Sequence, residues 1–236
     1  VHSLTEVRDA IIACDACPRL RTYCERLGRE KNAAHRDDVY WARPVPGFGD
    51  PEARVLVLGL APAAHGANRT GRVFTGDVPG GSGDFLFRAM HDTGFANKPT
   101  SQHADDGLAL NDAFIAAVVR CAPPDNKPSP DEIRRCHAHL EAEVSALTRV
   151  QAVVALGRIA FDAYWRLMAG RGVVLKPRPP FAHGAVYRPP GAPSLVCSYH
   201  PSRQNTNTGK LTATMLKGVF ALARREAYSF ETGSNS

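Results

Sequence analysis

The run Gly59-Leu60-Ala61-Pro62-Ala63-Ala64-His65-Gly66-Ala67-Asn68-Arg69-Thr70-Gly71-Arg72-Val73-Phe74-Thr75-Gly76-Asp77 decides how this chain is read. Directly before it stands Arg54-Val55-Leu56-Val57-Leu58, an apolar run with no helical or heptad period, bounded by Pro51 and Pro62. That run predicts a buried strand over 54–60. A strand therefore runs straight into a loop of Gly, Ala and small polar residues. Small residues let a ligand approach the backbone, and ligands of open α/β sheets sit beyond the carboxyl ends of strands. The loop closes on an aromatic ring, Phe74, and a carboxylate, Asp77. It predicts a pocket with one stacking face and one acid, although a long surface connection fits the same composition.

Outward from this loop, strands alternate with helices. Leu4, Val7, Ile11 and Ile12 have helical spacing and predict a helix over 4–13 that delivers Cys14-Asp15-Ala16-Cys17. Residues 28–52 predict a long ordered loop, because Tyr40, Trp41 and Phe48 need something to pack on. A helix starts at Asp84 behind Ser82-Gly83, and residues 96–107 read as a loop. The second strand, over 113–119, ends at Arg120-Cys121. After the loop Ala122-Pro123-Pro124-Asp125-Asn126-Lys127-Pro128 comes Ser129-Pro130-Asp131-Glu132, which combines a cap, a proline at the first helical position and a capping box. It predicts a helix to about Thr148 that carries Cys136. Strand three is 152–156, with a helix from Gly157-Arg158 through Met168. Residues 170–193 are Pro/Gly-rich and basic. Strand four is 194–199, a polar loop spans 200–210, and a last helix runs from Leu211 to Ala227. The expected class is α/β: one domain over 1–230 with a central four-stranded, mainly parallel sheet flanked by helices. Residues 231–236 read as a disordered or expression-derived tail. The polar loops 59–77 and 200–210 both follow buried strands, so they face one another across a cleft.

The totals set limits. The 236 residues fit one domain, and a 44% hydrophobic content suffices for a normal core. Twenty-nine Lys and Arg against 23 Asp and Glu give +6, a balance that suits a polyanion such as nucleic acid. No apolar run approaches the roughly 18 residues of a membrane-spanning helix, so no membrane association is expected. Val1-His2-Ser3-Leu4-Thr5-Glu6 lacks a basic region followed by an apolar core, so no signal peptide and a cytoplasmic enzyme are the expectation. Six cysteines stand at 14, 17, 24, 121, 136 and 197. Cys14, Cys17, Cys121 and Cys136 are candidates for one four-thiolate site, and soft thiolates select zinc or iron–sulfur. Four separate buried thiols are the alternative. The 15-residue step between Cys121 and Cys136 is awkward for a zinc knuckle and compatible with a cluster.

Three motifs make the chain resemble the uracil-DNA glycosylase superfamily, most closely its family 5, the iron–sulfur "b" type. They are Gly59 to Asp77, Arg120 to Pro128 with Cys136, and His200-Pro201-Ser202-Arg203-Gln204-Asn205-Thr206 with Thr208-Gly209. The resemblance implies an enzyme that flips uracil from double-stranded DNA and hydrolyses its N-glycosidic bond, leaving an abasic site. It implies a 4Fe-4S cluster on Cys14, Cys17, Cys121 and Cys136, and a protein acting as a monomer. Phe74 is then expected to stack on the base, with Gly59, Ala61 and Ala63 around it. His200 stabilises the departing base oxygen, Asp77 orients water or stabilises the sugar cation, and Asn126 pairs with the base edge, since Asn offers a donor and an acceptor. Ser202, Arg203, Gln204 and Asn205 are expected to enter the DNA groove, with Lys210, Arg69 or Arg72 on phosphate. Other families place an acid or Asn at the positions of Leu60 or Ala61, and related iron–sulfur members have Asn where Ala117 stands. Both replacements are typical of family 5 and move those roles to Asp77 and Asn126. They predict a looser pocket that accepts other deaminated or damaged bases, hypoxanthine among them. Val78-Pro79-Gly80-Gly81 lengthens the following segment, which makes Asp84 a second candidate for the water. The rival expectations are a non-catalytic DNA-damage-binding module, motivated by Ala61, and a zinc-stabilised hydrolase acting on nucleotides.

Overall fold

The computed structural model describes residues 3–76 and 78–229. Four apolar runs form the parallel centre of the sheet: β2 (Val55–Gly59), β3 (Ala113–Ala117), β4 (Ala152–Leu156) and β6 (Ser194–Ser198). Every residue in these strands is buried, because helices cover both faces and leave no solvent side to alternate with. The expected boundaries agree to within two residues. Two edge strands add to the four expected. The two-residue strands β1 (Phe48–Gly49) and β5 (Val186–Tyr187) pair antiparallel with β3 and β6, giving the order β1-β3-β2-β4-β6-β5. Both lie in segments read as loops, and two residues are too short to show a period of two.

Alternate strand residues feed two cores. Leu56, Leu58, Phe114, Ala116, Val153 and Leu195 point to one face. There they meet Leu140 and Val144 of α5 (Pro130–Ala146), and Phe161, Tyr164 and Trp165 of α6 (Arg158–Gly170). Val55, Val57, Ile115, Val154 and Val196 point to the other. There they meet Leu86 and Met90 of α4 (Ser82–Asp92), and Leu216, Val219 and Phe220 of α8 (Ala213–Tyr228). The chain leaves central β2 for β3 on one side and then returns to β4 on the other. That reversal is a topological switch point, where open α/β sheets place their ligands.

At the amino end, α1 (Leu4–Ile12) precedes a helix that the sequence reading stopped short of, α2 (Pro18–Glu30). It buries Leu20 and Cys24 and turns its many charges outward. Residues 31–47 follow as an ordered loop, as expected: Trp41 and Ala42 donate backbone N–H groups to Arg69 and Asn68 carbonyls of α3 (Ala67–Thr70) at 2.8 and 2.9 Å. The expected loop at 200–210 contains a short helix, α7 (Arg203–Asn207), capped by Ser202. No helix among the described residues is long and apolar enough to cross a membrane.

Glu132 ties the amino-terminal helices to the sheet. It completes the capping box of α5 with Ser129. It also accepts both Nε and Nη2 of Arg19 on α2, at 2.8 and 2.7 Å. Ser129→Ala removes the hydroxyl that accepts the Glu132 N–H. Urea unfolding should show it less stable by about 1 kcal/mol, the usual loss for an N-cap.

Candidate active site and cysteine cavity

A cavity of about 560 Å³ opens at the carboxyl ends of β2, β3 and β6, within the range of small-ligand sites. The β2 loop contributes Ala61, Pro62 and Ala63 to its wall, and Ala117 closes the end of β3. None of these side chains carries a polar atom. The polar and aromatic groups come from Phe74, Thr75, Ser82, Asn126 and His200, with Ser202, Arg203 and Gln204 at the start of α7.

Phe74 is held in a strained backbone. Its φ of +54° is the left-handed region, which costs a non-glycine residue about 1–3 kcal/mol. Two glycines hold it there. A Cβ on Gly59 would stand 2.9 Å from the Phe74 ring, and one on Gly83 would stand 2.1 Å from its carbonyl oxygen. Gly59 therefore lies beneath the ring rather than on the cavity wall. Gly83, read from sequence only as part of a helix start, is the clamp that reading missed.

His200 follows β6 and faces Phe74, with ring centroids 6.1 Å apart and planes inclined by 29°. Its Cβ lies 3.3 Å from where a Cβ on Gly157 would be, so the β4–α6 turn needs glycine twice, for this approach and for its φ of +94°. Burial pushes the His200 imidazole down to about 4, so it is neutral near pH 7. Asn126 stands exposed at the cavity rim in a short turn, with φ +56°, a conformation Asn tolerates.

Other expected residues are placed differently. Asp77 lies outside the described residues. Asp84 does not line this cavity: its carboxylate accepts Gly80 N–H at 3.0 Å and Gln102 Nε2–H at 3.2 Å. Arg69 and Arg72 were expected on phosphate and are instead 8% and 5% exposed. Arg69 donates to His65 O, Gly76 O and Asp38 at 2.7–2.8 Å. Arg72 donates to Thr75 Oγ1, Ser101 Oγ, Ala104 O and Asp106 at 2.8–3.0 Å. Burial would raise Asp106, but the Arg72 hydrogen bond and two backbone N–H groups outweigh it and hold the carboxyl down to about 2. These arginines build the loop from inside. Asn205 also turns inward, donating Nδ2–H to His200 O at 2.8 Å. Arg203, Gln204 and Lys210 remain exposed, with Lys210 Nζ 4.8 Å from the Tyr199 ring centre.

A second hollow lies where α2, the end of β3 and α5 meet. Cys14, Cys17, Cys121 and Cys136 all line it, and none is in a disulfide. Among the described residues no three His, Cys, Asp or Glu side chains converge on one point as ligands of a single ion. The four sulfurs surround a space instead. Burial pushes Cys136 up to about 11. Cys17 is raised by burial first, then by Cys121, Glu132 and Cys14, so the thiols sense one another. Cys24 stands beside the set, its Sγ directed at Ala122 O at 3.6 Å.

A parallel sheet with its cavity at a switch point, walled by one aromatic ring and one neutral imidazole, has the layout of an α/β enzyme acting on a small planar group. The family model of the uracil DNA glycosylase superfamily matches residues 46–224. A type-5 uracil-DNA glycosylase of Thermus thermophilus is 51% identical over 92% of this chain and 95% of its own length. Type-5 uracil-DNA glycosylases of Mycobacterium tuberculosis and Pyrobaculum aerophilum are 46% and 42% identical over 95% and 92% of this chain, and 82% and 90% of their own lengths. The chain belongs to the uracil DNA glycosylase superfamily.

Two outcomes check this geometry. Arg72→Gln should lower stability by about 3–5 kcal/mol, because it strands the buried Asp106 carboxylate. It should leave the salt dependence of DNA binding unchanged, whereas Arg203→Ala should reduce the slope of log K against log salt by about 1. The second concerns His200. Its folded imidazole titrates near 4 and the unfolded one near 6.5. As pH falls from 6.5 to 4 the unfolded state binds more protons, so stability should drop by about 1.4 kcal/mol per pH unit. NMR should find the ring uncharged down to about pH 5, and His200→Asn should flatten the unfolding profile over that window.

Proposed function

We infer that this chain is a DNA-repair glycosylase that takes uracil out of double-stranded DNA and hydrolyses its N-glycosidic bond, releasing free base and leaving an abasic site. The observation that carries the reading is the facing pair Phe74 and His200 across a nucleobase-accommodating cavity, in a chain of this superfamily. The scissile bond is inaccessible inside the stack, so the nucleotide must be flipped out, at a cost of a few kcal/mol. Phe74 supplies a stacking face for the extruded base.

When the bond from C1′ to the base nitrogen breaks, its electron pair stays on the base and negative charge builds on the ring oxygen. His200, uncharged and desolvated, donates an N–H to that oxygen. Water adds to C1′, and Asp77 takes its proton or stabilises the positive sugar. Support for Asp77 is its place in the chain: Thr75 and Ser82 on either side both line the cavity, while Asp84 is occupied with Gly80 and Gln102. Asn126 pairs with the base edge. Ala61, Ala63 and Ala117 offer no polar group to reject a wrong base, which supports activity on hypoxanthine and other deaminated or damaged bases. Exposed Arg203, Gln204 and Lys210 meet the DNA, and the protein acts as a monomer. The non-catalytic module rested on Ala61 alone and has no further observation in its favour.

Cys14, Cys17, Cys121 and Cys136 hold a 4Fe-4S cluster. The support is a hollow ringed by four soft donors that do not close on a single ion. Bound, the cluster supplies a cross-link between the amino-terminal helices and β3–α5.

Base release from matched duplexes carrying uracil or hypoxanthine tests the reading. His200→Ala should cost about 10²–10³ in kcat, the effect of one oxyanion donor. Asp77→Ala should cost about 10²–10⁴, as for a general base. Phe74→Ala should lose about 1–3 kcal/mol of stacking. A cluster-loaded wild type that releases no base overturns the enzyme reading, and full activity in Asp77→Ala removes that role.

A further inference from the structure

Arg120 directly precedes Cys121 and is 1% exposed, the largest fully buried side chain in the described structure. Its Nη2–H donates to Glu143 Oε2 at 2.7 Å. Its Nε and Nη1 are buried without any acceptor. An unsatisfied buried donor is costly, more so on a charged group. Two on one guanidinium point to an acceptor that the polypeptide does not supply.

The surroundings say where that acceptor sits. Arg120 borders the cysteine cavity, and its backbone N–H donates to Cys136 Sγ at 3.3 Å. Arg21, Arg120 and Arg135 line this cavity and no carboxylate does, so its occupant is anionic. Arg21 is engaged by Ala42 O and Glu25, and Arg135 by Ala16 O. Arg120 alone of the three is fully buried and has recorded spare donors. Glu143, its one partner, also accepts Gly47 N–H at 2.8 Å, which fixes the carboxylate and with it the guanidinium.

We propose that Arg120 is the cationic partner of the iron–sulfur cluster, donating Nε–H and Nη1–H to its sulfur and tuning its reduction potential. The proposal rests on the cluster reading given above. Four thiolates leave a cluster anionic, and reduction makes it more so. Hydrogen bonds to sulfur and a nearby positive charge both favour the reduced form and raise the potential.

The test is protein-film voltammetry on anaerobically purified protein, with iron and sulfide analysis, visible absorbance and circular dichroism alongside. Arg120→Met removes charge and donors, and also strands Glu143. Arg120→Lys keeps the charge and the pair with Glu143 while losing the planar fork. In Arg120→Met the reduction equilibrium should fall tenfold or more, about 59 mV for one electron. Arg120→Lys should shift in the same direction by less, and it decides the matter if the Met variant does not fold. A folded, cluster-loaded Arg120→Lys at the wild-type potential overturns the proposal and leaves Arg120 as a structural ion pair. Wild-type protein without iron and sulfide overturns the cluster reading itself, and this proposal with it.

Discussion

The site depends on guanidinium groups buried inside a loop. Residues 60–76 have little apolar bulk, so hydrophobic burial cannot order them. Arg69 and Arg72 do so instead, as planar forks whose N–H groups reach backbone carbonyls and hydroxyls several residues apart. Asp38 and Asp106 neutralise them. Thr75 and Ser101 share a hydroxyl contact at 2.6 Å within the same network, and Gly76 N–H adds a bond to Ser101 O at 2.9 Å. A network of this kind is costly when partly satisfied and rigid when complete. Its rigidity is what lets a loop serve as a cavity wall.

That rigidity is passed to the two rings. Phe74 can stay at positive φ only because its flanks over-determine it, with Gly59 under the ring and Gly83 against the carbonyl. His200 is fixed from behind by Gly157 and Asn205. The cavity therefore offers preformed faces, and its alanines leave a planar ligand few polar contacts. A neutral imidazole in such a place donates a hydrogen bond without first giving up a proton, which suits stabilisation of an anionic leaving group.

The cysteine hollow plays the corresponding part for the amino-terminal helices. Glu132 and Arg19 join α2 to α5, and Arg120 with Glu143 joins the end of β3 to α5 and to the chain at Gly47. Val45 N–H closes on Arg120 O at 2.7 Å. The buried ion pair thus stands between the cysteines and the loop leading to the sheet edge.

The sequence alone determined the four parallel strands, because unbroken apolar runs of this length have no stable place except a sheet covered on both faces. It determined the capped start of α5, since caps are local chemistry, and the identity of the ring and imidazole, since Phe74 and His200 follow buried strands in specific motifs. Tertiary structure alone decided what the charges do. Arg69 and Arg72 look like any exposed arginine in sequence, and only the fold brings Asp38, Ser101 and Asp106 to them from distant segments. The same holds for Asn205, which the fold turns back onto His200, for Gly83 and Gly157, whose missing Cβ atoms matter only where other chain segments press, and for Arg120. The physical reason is common to all of them. Hydrophobic period and capping are read over a few neighbouring residues, whereas hydrogen-bond partners and close approaches are set by distances across the folded chain.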